Sequence, residues 1–224
     1  MYQKEDGEVD FTVVVIDADT PREQAAQLTL QSVCWPNEDE NYEALSGKEW
    51  IFARSNAISR SAEIRESEAV SIAGDSIVRS GVCIHSDLAR VRLGRYCDIG
   101  REVTLRPSRR SHSQRDAKDE SYLPMTIGSH VRIGRCTLVE AAWIGLGVRI
   151  GPGAVIGKCC IIKDFCVIAA GAILPDDSVC APLSIVAGVP ARTVGFVSPG
   201  ATAERRREAE MHIRRTLANK IELV

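Results

Sequence analysis

The sequence predicts a mainly β fold, a parallel β-helix wound in six-residue steps, and three observations carry that prediction. From Ile144 onward every sixth residue is Ile150, Ile156, Ile162, Ile168, Leu174, Cys180 and Val186. The fifth place of each step is small or compact: Val148, Ala154, Cys160, Cys166, Ala172, Ser178 and Ser184. Only 5% of the 224 residues are aromatic while 45% are hydrophobic, so the interior must be built from aliphatic side chains. Each step then supplies one short strand and one corner, and three steps close a triangular turn. Residues one turn apart stack at the parallel-strand spacing of about 4.8 Å. Ile144, Ile162 and Cys180 are expected in one interior column, and Ile150, Ile168 and Val186 in another.

The same period recurs upstream in shifted phase. Ile127, Ile133 and Val139 form one run, Leu93, Ile99 and Leu105 another, and Ile72, Val78 and Ile84 an earlier one. Ile58, Ile64 and Val70 begin the series. The coil is accordingly assigned to residues 42–196, with a thrown-out loop at 106–125. Glycines after the aliphatic residue are read as corners needing positive φ. Cys97, Cys160 and Cys166 fall on the small site and Cys180 on the aliphatic one, so they read as buried packing residues. No Cys-x-x-Cys pair occurs among the eight cysteines, which favours free thiols over a zinc site or disulfides.

Residues 197–224 are read as a helix that caps the coil, running from Ala203 to Leu223 with Thr202 as N-cap. Ile213, Leu217 and Ile221 give it an apolar stripe, and Glu204 to Glu208, with three arginines between, reads as a solvated face. Residues 1–41 form an N-terminal extension: a strand at Phe11–Ile16, then a helix opened by Thr20-Pro21-Arg22-Glu23 and reaching Val33. Asp17 and Asp19 lie where some glycosyltransferases hold a metal–nucleotide, but the rest of such a domain is missing from the sequence. A net charge of -2 and the absence of a 20-residue apolar run argue against nucleic acid and membrane insertion. The polar, acidic N-terminus does not read as a secretory signal, so a cytosolic address is expected.

Catalysis finds no clear candidate. The loop 106–125 is where a rigid coil would place chemistry. Asp87, Val91 to Gly94, and Met125-Thr-Ile-Gly128 resemble the γ-type carbonic anhydrases, whose metal is bound by three histidines. Arg106, Arg135 and Glu140 fall on those positions, and guanidiniums repel Zn²⁺. Val186-Ala-Gly-Val-Pro-Ala-Arg192 resembles the terminal motif of hexapeptide acetyltransferases, which use acetyl-CoA and a loop histidine as base. The matching position is again Arg106, which cannot take a proton. His112 reads as an exposed surface histidine, His85 as a corner residue beside Ile84, and His130 as outward-facing.

A non-enzymatic family fits more residues. Asp87-Leu-Ala-Arg-Val-Arg-Leu-Gly-Arg-Tyr-Cys97, Arg106-Pro107, Pro124 to Val131, Ala141-Ala-Trp-Ile-Gly145 and Val155 to Cys166 resemble the dynactin subunit 5 family. The resemblance implies a left-handed β-helix without catalytic, metal or cofactor sites, in the pointed-end complex of dynactin. It implies as partners a dynactin subunit 6 homologue, the actin-related protein at the filament pointed end, and dynein cargo adaptors. Candidate partner-binding residues are Arg106, Arg109, Arg110 and Asp87. Residues 1–40, the long charged loop and the enzyme-like Gly188-Val-Pro-Ala-Arg192 ending depart from the family pattern.

Overall fold

The computed structural model describes residues 12–13, 28–29, 50–53, 55–109 and 121–218. Three parallel sheets wrap into a coil, because the chain visits them in rotation with strands only two to five residues long through most of its length. The first sheet has nine strands, from Trp50–Ala53 at one edge to Ala191–Phe196 at the other. The second and third have six strands each, Glu63–Arg65 to Ile173–Leu174 and Val70–Gly74 to Val179–Cys180.

Register confirms both expected columns. Ile144 pairs with Ile162 and Ile162 with Cys180 in the third sheet, while Ile150, Ile168 and Val186 align in the first. Their side chains and those of Val148, Ala154, Cys160 and Cys166 form one continuous buried core. Alternating large and small inward residues fill the narrow prism, and nearly all of this surface leaves water on folding. Seven cysteines among the described residues are free thiols, with Cys97, Cys160, Cys166 and Cys180 buried as expected. Burial pushes the thiols of Cys97 and Cys180 up to about 12 and that of Cys160 to about 11.

The glycine reading needs revision. Gly151 has no positive φ; a Cβ there would lie 2.4 Å from the backbone nitrogen of Ala170 on the next turn. Its absence of a side chain lets successive corners stack. Gly153, by contrast, sits at φ +67 in open space. Many corners take positive φ without glycine, including Glu102, Cys136, Cys159, Phe165 and Asp177.

Hairpins, not the helix, form both edges of the first sheet. Trp50–Ala53 pairs antiparallel with Asn56–Ser59, and Ala191–Phe196 antiparallel with Ser184–Gly188, so each edge strand of the first sheet folds back on its neighbour. The helix spans Ala201–Ala218 and lies along the outer face of that sheet. Thr202 is inside it, and its Oγ1 donates to the Pro199 carbonyl instead of capping. Ile213 is buried with Trp50, Ala57 and Ile77, and Leu217 packs beside them; Ile221 lies outside the described residues. Arg205 is buried rather than solvated, whereas Arg206 and Arg207 are exposed.

In the N-terminal extension Thr12–Val13 pairs antiparallel with Leu28–Thr29. At Leu28–Thr29 a strand therefore stands where the sequence predicts helix, and the rest of the expected helix lies outside the described residues. Asp17, Asp19, Arg110 and His112 lie outside the described residues.

Candidate functional site

Each rung of the coil presents one outward residue per sheet, and these outward columns are where the molecule can meet a partner. The corner between the second and third sheets carries Asp87 on one turn and Arg106 on the next, with Arg109 three residues on, because the chain leaves the second sheet at His85 and again at Leu105 just before them. Arg106 is exposed, with Nη1 3.8 Å from Glu140 Oε1 one turn on. Arg109 forms an isolated antiparallel bridge with Tyr122 and so closes the base of the charged loop. Ser108 pins that base to the coil: its hydroxyl donates to the Glu140 carbonyl and accepts from the Cys159 amide at 2.9 Å, and its carbonyl accepts from Leu123 N–H at 2.8 Å. The loop thus springs from a rigid stem. Arg135 lies at the other corner of the second sheet, so it does not join Arg106 and Glu140.

Near Asp87 the structure brings together a row that sequence reasoning missed. Cys83 Sγ lies 3.5 Å from His85 Nε2, and His85 Nδ1 lies 3.9 Å from Asp87 Oδ1. The side chains beside His85, read as a corner residue, are those of Cys83 and Asp87. Alternate residues of one strand share a face, which is the signal that could have found the Cys83–His85 pair. The row does not make an activated nucleophile. Burial and the charge of Glu63 push the Cys83 thiol up, and 3.9 Å exceeds a hydrogen bond. Among the described residues no group of three or more His, Cys, Asp or Glu is disposed to hold a metal.

The most elaborate polar arrangement lies under the helix. The outward column of the first sheet runs Ala57, Ile77, Asp98, Arg132, Arg149, Val167, Ile185. Arg79 grips buried Asp98 bidentately at 2.8 and 3.0 Å, and His212 of the helix donates to the same carboxylate at 2.9 Å. Burial works to raise the Asp98 carboxyl, but the Arg79 charge, the bonds from His212 and Arg79, and the Arg132 charge outweigh it. The group is held well below the usual carboxylate range. Glu208 pairs with Arg149, and Glu210 lies 3.0 Å from His130 Nε2. His130, expected to face outward, instead stacks on Tyr96 with ring centroids 5.1 Å apart, between coil and helix. The whole set joins helix to coil.

The rotation of short parallel strands about one aliphatic core defines the chain as a hexapeptide-repeat β-helix protein. Solved structures with this fold include a hexapeptide transferase family protein from Anaplasma phagocytophilum, 16% identical, with TM-score 0.53 over 72% of this chain and 90% of that one. Another is the N-acyltransferase AntD from Bacillus cereus, solved with dTDP and 3-hydroxybutyryl-CoA; it is 13% identical, with TM-score 0.56 over 74% and 93% of the two chains. Likeness at that identity establishes the architecture alone. The sequence model of dynactin subunit 5 matches residues 42–213, and the chain belongs to that family. Dynactin subunit 5 of Dictyostelium discoideum is 36% identical over 90 residues, which span 40% of this chain and 43% of that relative.

Proposed function

We propose that this chain is a non-catalytic structural subunit of the dynactin pointed-end complex, supporting dynein-driven transport along microtubules from the cytoplasm. The observation that carries the reading is the family match over residues 42–213. Arg106 beside Glu140 adds to it, since an always-charged guanidinium stands where the related enzymes need a base. In this reading the partners are a subunit 6 homologue, the actin-related protein at the filament end and cargo adaptors. Asp87, Arg106, Arg109 and Arg110 form one contact edge. The coil of residues 42–196 is the rigid block, with residues 1–41 and 197–224 as appendages. No helix among the described residues is long and apolar enough to cross a membrane, which suits such a role.

The test is co-purification of a tagged chain with filament-end proteins, repeated with Arg109→Glu and Arg110→Glu together. The reading expects assembly with the wild type and weakened capture with the reversed charges, at unchanged thermal stability. Full assembly and adaptor binding by the double variant would remove those residues from the edge. A second reading, an acyltransferase using acetyl-CoA, draws on the shared architecture with AntD. It requires saturable acetyl-CoA binding and acetylation of an acceptor by the purified chain.

A further inference from the structure

The outward column of the third sheet runs Ser71, Arg92, Thr126, Trp143, Ile161, Val179. Its last three members stack directly over one another and are large and apolar, yet 48%, 39% and 63% exposed respectively. Single exposed apolar residues are ordinary, whereas a contiguous stack of them marks a contact surface. The first sheet shows how this molecule treats the same feature. Its apolar outward residues Val167 and Ile185 are covered by Val197, Leu183, Val194 and Ala201, and Ala57 and Ile77 by Ile213 of the helix. No described residue provides such cover for Trp143, Ile161 and Val179.

We infer that the Trp143–Ile161–Val179 column docks an amphipathic α-helix of a partner, lying along the coil axis. The column is one residue wide, so it matches a helix stripe rather than a broad sheet. Rungs about 4.8 Å apart nearly match the 5.4 Å helical pitch, so anchors at i, i+4 and i+7 fall on successive rungs. Charge sets the direction. Exposed Asp176 and Asp177 lie beside Val179 at one end of the column and exposed Arg92 at the other. The positive N-terminal end of a helix belongs at the acids and its negative C-terminal end at Arg92. The chain's own helix runs the same way on the first sheet, from Ala201 near Ile185 to Leu217 near Ala57. Four rung spacings separate Val179 from Arg92, about 19 Å, which a helix of about 13 residues spans.

This surface deepens the scaffold reading by naming a kind of partner, and it is testable apart from that reading. The probe is a fluorescein-labelled, side-chain-stapled peptide of about 14 residues with leucines at i, i+4, i+7 and i+11. A control peptide has the same composition with the leucines scattered round the helix. Anisotropy is read with the full-length chain and with its Ile161→Asp and Val179→Lys variants, each checked for an unchanged melting temperature. Both substitutions lie on exposed side chains, so at least one folded variant is expected. The inference expects saturable binding of the amphipathic peptide, and a loss of at least about tenfold in affinity in either variant. Equal binding of the scattered peptide overturns it, as does undiminished binding by the variants. Self-association of the wild type that Ile161→Asp abolishes also overturns it, by making a second copy the occupant. Failure of the chain to join filament-end proteins while the peptide still binds would sink the scaffold reading and leave this one standing.

Discussion

Asp98 shows how much one residue can organise. It occupies an outward rung position that elsewhere holds Ile77 or Val167, and it answers Arg79, Arg132 and His212 at once. Asp98→Asn keeps the shape but leaves the buried Arg79 guanidinium without its counter-charge. The expected cost is about 3–5 kcal/mol in chemical denaturation. Because the folded carboxyl is held below its unfolded value, near 3.9, its contribution is present above that pH and is lost as pH falls below it. The variant should therefore lose less stability than wild type on acidification below about pH 4. An equal acid response would contradict the assignment. Two glycines make a second comparison. Gly153→Ala places a Cβ in open space at φ +67, costing about 1–2 kcal/mol. Gly151→Ala drives a Cβ into the Ala170 backbone and should cost more; the reverse order would refute the close-approach account. Neither contact was legible in the sequence. The hexad pattern marks which residues point inward, but Arg79 and Asp98 meet across 19 positions through outward faces that the pattern leaves unconstrained.

Elements were legible in proportion to the regularity of their burial. Ile150, Ile156 and Ile162 announce their strands because a closed prism forces one aliphatic residue per step. The helix was recognisable as a helix, yet its docking was not. Of its 18 residues only Arg205, Ile213 and Thr216 are buried, so its contact face is largely charged and carries little amphipathic signal. It lies flat on the first sheet because Glu208, Glu210 and His212 find Arg149, His130 and Asp98 there. Ile213 is its principal apolar anchor. Ile213→Ala, at about 2–4 kcal/mol, should raise amide exchange across residues 201–218 while the coil strands keep their protection. Uniform loss of protection in helix and coil would mean that the two unfold together. His130 was misread for the same reason: a corner residue faces outward from the coil, but the helix stands over that corner.

At the scale of the molecule, two outward faces and one corner have three different treatments. The first sheet's face is covered by the chain's own helix, the third sheet's ends in an exposed apolar column, and the corner between the second and third carries the arginines and the stem of the charged loop. The fold class and the buried columns followed from the sequence because period and side-chain size constrain every turn. The proposed contact edge followed only in part. Arg106 could be excluded as a base from its chemistry alone, whereas its pairing with Glu140 required the register between turns. A rigid block that presents distinct faces suits assembly better than turnover, and that is the central claim.

Native mass spectrometry of the complex isolated through this chain tests the claim most directly. The account predicts the chain within a large assembly that also contains a subunit 6 homologue and the actin-related protein of the filament end. A free homotrimer that binds acetyl-CoA and acetylates an acceptor would contradict it.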